Sequence, residues 1–83
     1  MPERRTTEGW QELILKLLTN IAPEVDPKTI QADQPLREQI DIDSMDFLGL
    51  VTKIYEMTGI DIPESDYTRL TTLKKIVDYL AQR

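Results

Sequence analysis

Cysteine and histidine are both missing from this chain. Without cysteine there is no disulfide framework, no thiolate metal site and no thiol nucleophile, a composition that fits a reducing, cytoplasmic setting. Without histidine the commonest acid/base and metal ligand near neutral pH is gone as well. The two absences count strongly against most hydrolases and zinc proteins. No apolar run approaches the roughly 20 residues needed to span a bilayer. Residues 1–7 hold two arginines with no apolar segment after them, so they are not expected to act as a secretory signal. Basic residues are the minority, 10 Lys and Arg against 15 Asp and Glu, for a net charge of −5. That balance argues against nucleic acid as a partner. The acids concentrate between Asp33 and Asp66, where Arg37 and Lys53 are the only basic side chains. Such a surface steers basic partner proteins, and it serves equally well as a solubilising face.

The 83 residues suffice for one small domain, expected over residues 7–83 behind a flexible tail at 1–6. A composition of 40% hydrophobic and 30% charged residues is that of a folded soluble chain and not a disordered one. Trp10, Leu13, Ile14, Leu17, Leu18 and Ile21 recur at helical spacing with almost no noise. Thr6 or Thr7 can cap that helix, Glu8 suits its first turn, and Pro23 ends it, so it is expected over about Glu8 to Ile21. Residues 22–42 carry Pro23, Pro27 and Pro35 and form a long connection. Val25, Ile30, Leu36 and Ile40 are its apolar pins, and Leu36 to Ile40 fits a short helical turn.

A second helix opens at Asp43 or Ser44 and repeats the stripe through Phe47, Leu50, Val51, Ile54 and Tyr55 until Gly59. Met45 and Leu48 fall off the centre of that stripe, toward solvent. Ile60-Asp61-Ile62-Pro63 reads as an extended link with both isoleucines turned inward. Pro63 or Glu64 then opens a short third helix through Tyr67 to Leu70. Thr71 or Thr72 caps a fourth, striped by Leu73, Ile76, Val77 and Leu80. The expected fold is all-α, a small four-helix bundle with a long first loop and a short third helix, and the chain is expected to be a monomer.

Chemistry concentrates in Asp41-Ile42-Asp43-Ser44-Met45-Asp46. An EF-hand begun at Asp41 needs an oxygen ligand at Met45, glycine at Asp46 and a bidentate acid at Thr52, and fails on all three. Serine catalysis at Ser44 lacks a histidine base and the glycine-flanked nucleophile elbow, and the surrounding carboxylates oppose an alkoxide. Lys53 stands more than two turns along the helix. What remains is a serine at a helix start. Its bland role is an N-cap, but Asp43 caps equally well and leaves Ser44 free for another use.

The stretch from Ile40 to Pro63 resembles the carrier-domain signature of acyl carrier proteins, in which Asp-Ser-Leu opens the second helix. Here the tripeptide is Asp43-Ser44-Met45, followed by Asp46, a hydrophobic helix and Gly59-Ile60-Asp61-Ile62-Pro63. Thr71-Thr72-Leu73 is similar to the family's capped last helix, so the likeness covers residues 8–82. It implies a stand-alone carrier that is not an enzyme. Ser44 Oγ would be esterified with 4'-phosphopantetheine, taken from coenzyme A by a Mg-dependent phosphopantetheinyl transferase, and the missing thiol would arrive with that cofactor. Asp43 would be the motif neighbour. Met45, Asp46 and Leu48 match positions that face partner enzymes, and Glu56, Glu64 and Asp66 would extend that surface.

The partners implied are an acyl-activating ligase, ketosynthase or acyltransferase-type enzyme of lipid, fatty acid or polyketide metabolism. Asp41, Gly49 and Met45 depart from the family's usual glycine, long side chain and leucine, which points to a specialised pathway. A long acyl cargo is expected between the helices, beside Phe47, Val51 and Ile54. Two other readings stay open: an amino-acyl or peptidyl carrier, and a non-carrier interaction module on the same bundle.

Overall fold

The computed structural model describes residues 6–82, so residues 1–5 of the expected tail, and Arg83, lie outside the described residues. Helix α1 spans Thr7–Ile21. Thr6 belongs to it as the N-cap, its Oγ1 accepting a 3.0 Å hydrogen bond from Gly9 N–H. Trp10, Leu13, Ile14, Leu17 and Leu18 are its buried face. The helix packs mainly on α4 (Leu73–Ala81) and less extensively on α3 (Ser44–Thr58). Both partners present matching stripes, Leu73, Ile76, Val77 and Leu80 on α4 and Leu50, Val51 and Ile54 on α3. Together these form one apolar core.

The long connection after α1 is built, not loose. A 3₁₀ turn at Pro27–Thr29 is capped by Asp26, whose Oδ1 accepts from Lys28 N–H at 2.9 Å. A four-residue helix α2, Leu36–Gln39, buries Leu36. The Gln39 amide then acts like a strand partner for the loop. Its Oε1 accepts from Gln31 N–H at 2.6 Å, and its Nε2 donates to the carbonyls of Gln31 and Gln34 at 2.8 and 2.9 Å. The loop is also stitched to the start of α4 by Leu36 N–H to Thr71 O and Lys74 N–H to Ala32 O, each 2.9 Å. These bonds bring Pro35 and Thr72 into a single antiparallel bridge.

One expectation is refined and one corrected. The short third helix is a six-residue 3₁₀ segment, Glu64–Arg69, followed by a 3.1 Å bond from Leu70 N–H to Tyr67 O. The short span between Pro63 and the Thr72 cap leaves little room for α-helical bonds to accumulate, and 3₁₀ geometry suits such short pieces. Tyr55 was placed in the buried stripe of α3, yet it is 53% exposed. The stripe is centred between Leu50 and Ile54, and Tyr55 lies about 100° round from Ile54, on the flank. Helix α3 ends at Gly59, whose φ of 77° is the left-handed conformation that glycine adopts without strain. Ile62 beyond it is buried and Ile60 half-buried, as the link requires.

Candidate functional site

The site is the first turn of α3. Asp43 is the N-cap: its Oδ1 accepts from Asp46 N–H at 2.8 Å, and Asp46 Oδ2 accepts from Asp43 N–H at 3.2 Å. This is a capping box closed by two aspartates. It satisfies two orphan backbone donors and places two carboxylates where the helix dipole favours negative charge. Ser44, the first helical residue, is therefore spared capping duty. It is exposed, and among the described residues no hydrogen bond occupies its hydroxyl.

Around Ser44 the surface divides. Met45 is 79% and Leu48 51% exposed, large apolar side chains on the outward face of α3. Gly49 lies beside them, and a Cβ built there would meet no atom within 4 Å, so the face is open at that point. On the other side is an apolar cavity of about 510 Å³ whose lining includes Ser44 itself. Buried Leu36, Ile42 and Leu70 make its floor. Half-buried Phe47 and Tyr67 make one wall, and exposed Arg37, Thr68 and Thr71 its polar rim.

The expected site residues do not all gather here. Asp43, Ser44, Met45 and Asp46 share one turn, and Leu48 follows a turn later. Glu56 sits about 18 Å further along the helix axis, where it pairs with Lys53 at 3.4 Å. Glu64 is exposed at the start of the second 3₁₀ segment. Asp66 is half-buried. Its carboxylate accepts a 2.7 Å hydrogen bond from Tyr79 Oη on α4, lies 3.8 Å from Arg69, and is only 21% exposed. Val51 and Ile54 are buried in the core, and Phe47 lines the cavity. Tyr67, Leu70 and Arg37 were missed as neighbours of Ser44. Their sequence distance from it gave no signal, although Leu36 stood out as a loop pin.

A covalently attached phosphopantetheine fits this arrangement. The hydroxyl is accessible and unoccupied by capping, a phosphate on it would meet the positive end of α3, and an apolar recess opens alongside. Among the described residues no helix is long and apolar enough to cross a membrane.

Comparison with known proteins agrees with this geometry. The family model for the phosphopantetheine attachment site matches residues 12–80. The acyl carrier protein of Rubrobacter xylanophilus is 28% identical over 75 residues, covering 87% of this chain and 93% of that protein. That of Campylobacter hominis is 34% identical over 56 residues, 68% of this chain and 71% of its own length. A third, from Phytoplasma mali, is 29% identical over 72 residues, with coverages of 87% and 80%. An exposed serine at the head of α3, a family model spanning nearly the whole bundle and these relatives agree: the chain belongs to the acyl carrier protein family, with its phosphopantetheine attachment site.

Proposed function

We propose that Ser44 is the attachment residue, and that the chain holds acyl groups at this point and presents them to other enzymes without catalysing their reactions. When bound, the phosphopantetheine group supplies a terminal thiol that carries the acyl group as a thioester. The observation that carries the proposal is the division of labour in the first turn of α3. Asp43 and Asp46 cap the helix reciprocally, so Ser44 Oγ projects unpaired from a fixed position. The two aspartates also lower the tendency of that hydroxyl to ionise unaided, which favours modification by a separate transferase over self-reaction. Lys53, the basic side chain on the same helix, is engaged with Glu56 and remote from Ser44.

The partner surface supported best is the outward face of α3. Met45 and Leu48 offer apolar contact beside the attachment point, Gly49 leaves a hollow, and Asp43 retains an exposed carboxylate. A phosphopantetheinyl transferase reads it first. Acyl-activating ligase, ketosynthase or acyltransferase-type enzymes follow, within a specialised lipid, fatty acid or polyketide-type pathway. Incubation with coenzyme A and a broad-specificity transferase should raise the intact mass by one phosphopantetheinyl group. Ser44→Ala should keep the wild-type circular dichroism spectrum and take no label. Labelling of the Ser44→Ala chain, or none of the wild type with several transferases, would refute the assignment.

A further inference from the structure

Charge is distributed unevenly along the chain. The molecule is at −5 overall, yet residues 67–82 hold Arg69, Lys74 and Lys75 against Asp78 alone. The fold gathers two of those cations, Arg69 and Lys75, at a cleft of about 510 Å³ between the second 3₁₀ segment and α4, where Asp78, Leu70 and Tyr79 also line it. Thr68 and Leu70 line both this cleft and the cavity beside Ser44, so the two hollows share a wall. Neither cation is locked into an internal bond. The Lys75 ammonium donates to the neutral Thr71 Oγ1 at 3.4 Å and makes no ion pair among the described residues. Arg69 lies 3.8 Å from Asp66 with its side chain 74% exposed, and a surface pair of that kind contributes little. Its guanidinium has donors to spare for a second carboxylate. Between the cations the lining turns apolar. Leu70 is buried, and the half-buried Tyr79 is held in place by its hydroxyl, which donates to Asp66 at 2.7 Å.

We propose that this cleft binds an acidic protein segment, its carboxylates on Arg69 and Lys75 and an apolar side chain against Leu70 and Tyr79. The surroundings select that partner. Outside residues 67–82 the acids outnumber the basic residues. A flat anionic bilayer or a nucleic acid reaching the cleft would meet those acids too and be repelled. A protruding segment meets the two cations without them. Asp78 in the lining repels a doubly charged phosphate more than singly charged carboxylates spaced along a peptide. No residue of α3 lines the cleft, so a segment seated there leaves Met45 and Leu48 uncovered. The proposal goes beyond the carrier reading and does not require Ser44 to bear the arm.

The test titrates the full, unmodified chain with a capped pentapeptide that carries a leucine between two pairs of glutamates, followed by amide NMR at low salt. Shifts should concentrate at Thr68, Arg69, Leu70, Lys75, Tyr79 and Gln82 and saturate with peptide. Arg69→Gln and Lys75→Gln should each weaken binding about 1.5- to 5-fold, the contribution of one exposed ion pair. Asp78→Asn, which removes a like charge, should strengthen it by a similar factor. All three side chains are exposed, and unchanged circular dichroism spectra check that the variants stay folded. Added salt should weaken wild-type binding more than that of the Lys75→Gln variant. Replacing the peptide's leucine with glycine should weaken binding and shrink the shifts at Leu70 and Tyr79.

Inorganic phosphate and phosphatidylglycerol vesicles are the rival sources of negative charge, and neither should bind as tightly as the peptide. The proposal is overturned by no peptide binding, by shifts centred on the head of α3, or by binding that survives exchange of the peptide's glutamates for glutamines. Affinity unmoved in both Arg69→Gln and Lys75→Gln, or tighter binding of phosphate or vesicles, would overturn it equally. Transferase labelling of Ser44 is a separate measurement, so failure of either reading leaves the other standing.

Discussion

Asp43 does two jobs in the proposed carrier, and substitution can separate them. Its Oδ1 accepts from Asp46 N–H at 2.8 Å as the N-cap of α3, and its charge stands beside Ser44, the proposed attachment residue. Asp43→Ala removes both. Loss of an N-cap side chain costs about 1 kcal/mol, and loss of a carboxylate at the positive end of a helix adds about 0.3–1 kcal/mol. Relief of repulsion among Asp41, Asp43 and Asp46 offsets part of the second contribution. The expected net loss is about 1–1.5 kcal/mol, or about 4–12 °C in Tm for a domain of this size. Asp43→Asn keeps a capping oxygen as good as aspartate's and loses only the charge, so it should stay within about 0.5 kcal/mol of wild type.

Because Asp46 Oδ2 accepts from Asp43 N–H in return, the double Asp43→Ala, Asp46→Ala variant should lose less than the sum of the single losses. Urea unfolding with unchanged m-values measures wild type, Asp43→Asn, both single alanine variants and the double. Transferase labelling rates supply the second axis. Asp43→Asn should fold like wild type but label more slowly, with a weaker salt dependence. If Asp43→Asn is as unstable as Asp43→Ala, the cap is electrostatic rather than a hydrogen bond. If Asp43→Ala is neutral in stability, the capping box contributes nothing and the reasoning fails.

Two further outcomes test the frame around the site. Gln39→Ala should cost about 1 kcal/mol and accelerate amide exchange at Gln31, because its amide closes the loop through Gln31 and Gln34; unchanged exchange there would show that the backbone stitches to α4 hold the loop unaided. Gly59→Ala should lose about 1–2 kcal/mol through backbone strain at φ 77°, with no steric component, since a Cβ there would meet nothing within 4 Å. A Gly59→Asn variant should recover part of that loss in thermal melts, and equal loss for Ala and Asn would refute the left-handed cap as the cause.

What could be read from the sequence was whatever repeats locally. The stripe from Trp10 to Ile21 and the stop at Pro23 fix α1 because both signals lie within the helix itself. The head of α3 was legible as a choice between Asp43 and Ser44, and the structure makes Asp43 the cap. Legibility failed where the deciding contact is distant. Leu36 and Thr71 hydrogen-bond across more than thirty residues of chain, and that pairing places the cavity floor under Ser44. Asp66 looked like a surface acid because its sequence neighbours are polar, yet the group that claims it, Tyr79, is thirteen residues away on α4. Tyr55 carried the spacing of a core residue, but an amphipathic side chain on the flank of a stripe does not have to be covered.

Several of the acids that make the chain net negative are occupied with its own structure. Asp43 and Asp46 cap each other, Asp66 holds Tyr79, and Glu56 pairs with Lys53. Carboxylates engaged in this way still project a field, and a field acts at long range on the rate of encounter. They are poorly suited to discriminate between two basic partners, because each is committed in direction. Discrimination on the proposed reading therefore falls to side chains without internal duties. Beside Ser44 those are Met45 and Leu48, with the open ground at Gly49 between them and the next turn. Charge then governs how quickly partners arrive, and apolar fit on α3 how long they stay. Truncating Met45 or Leu48 should act on dissociation, whereas neutralising the acids should act on association and its dependence on salt.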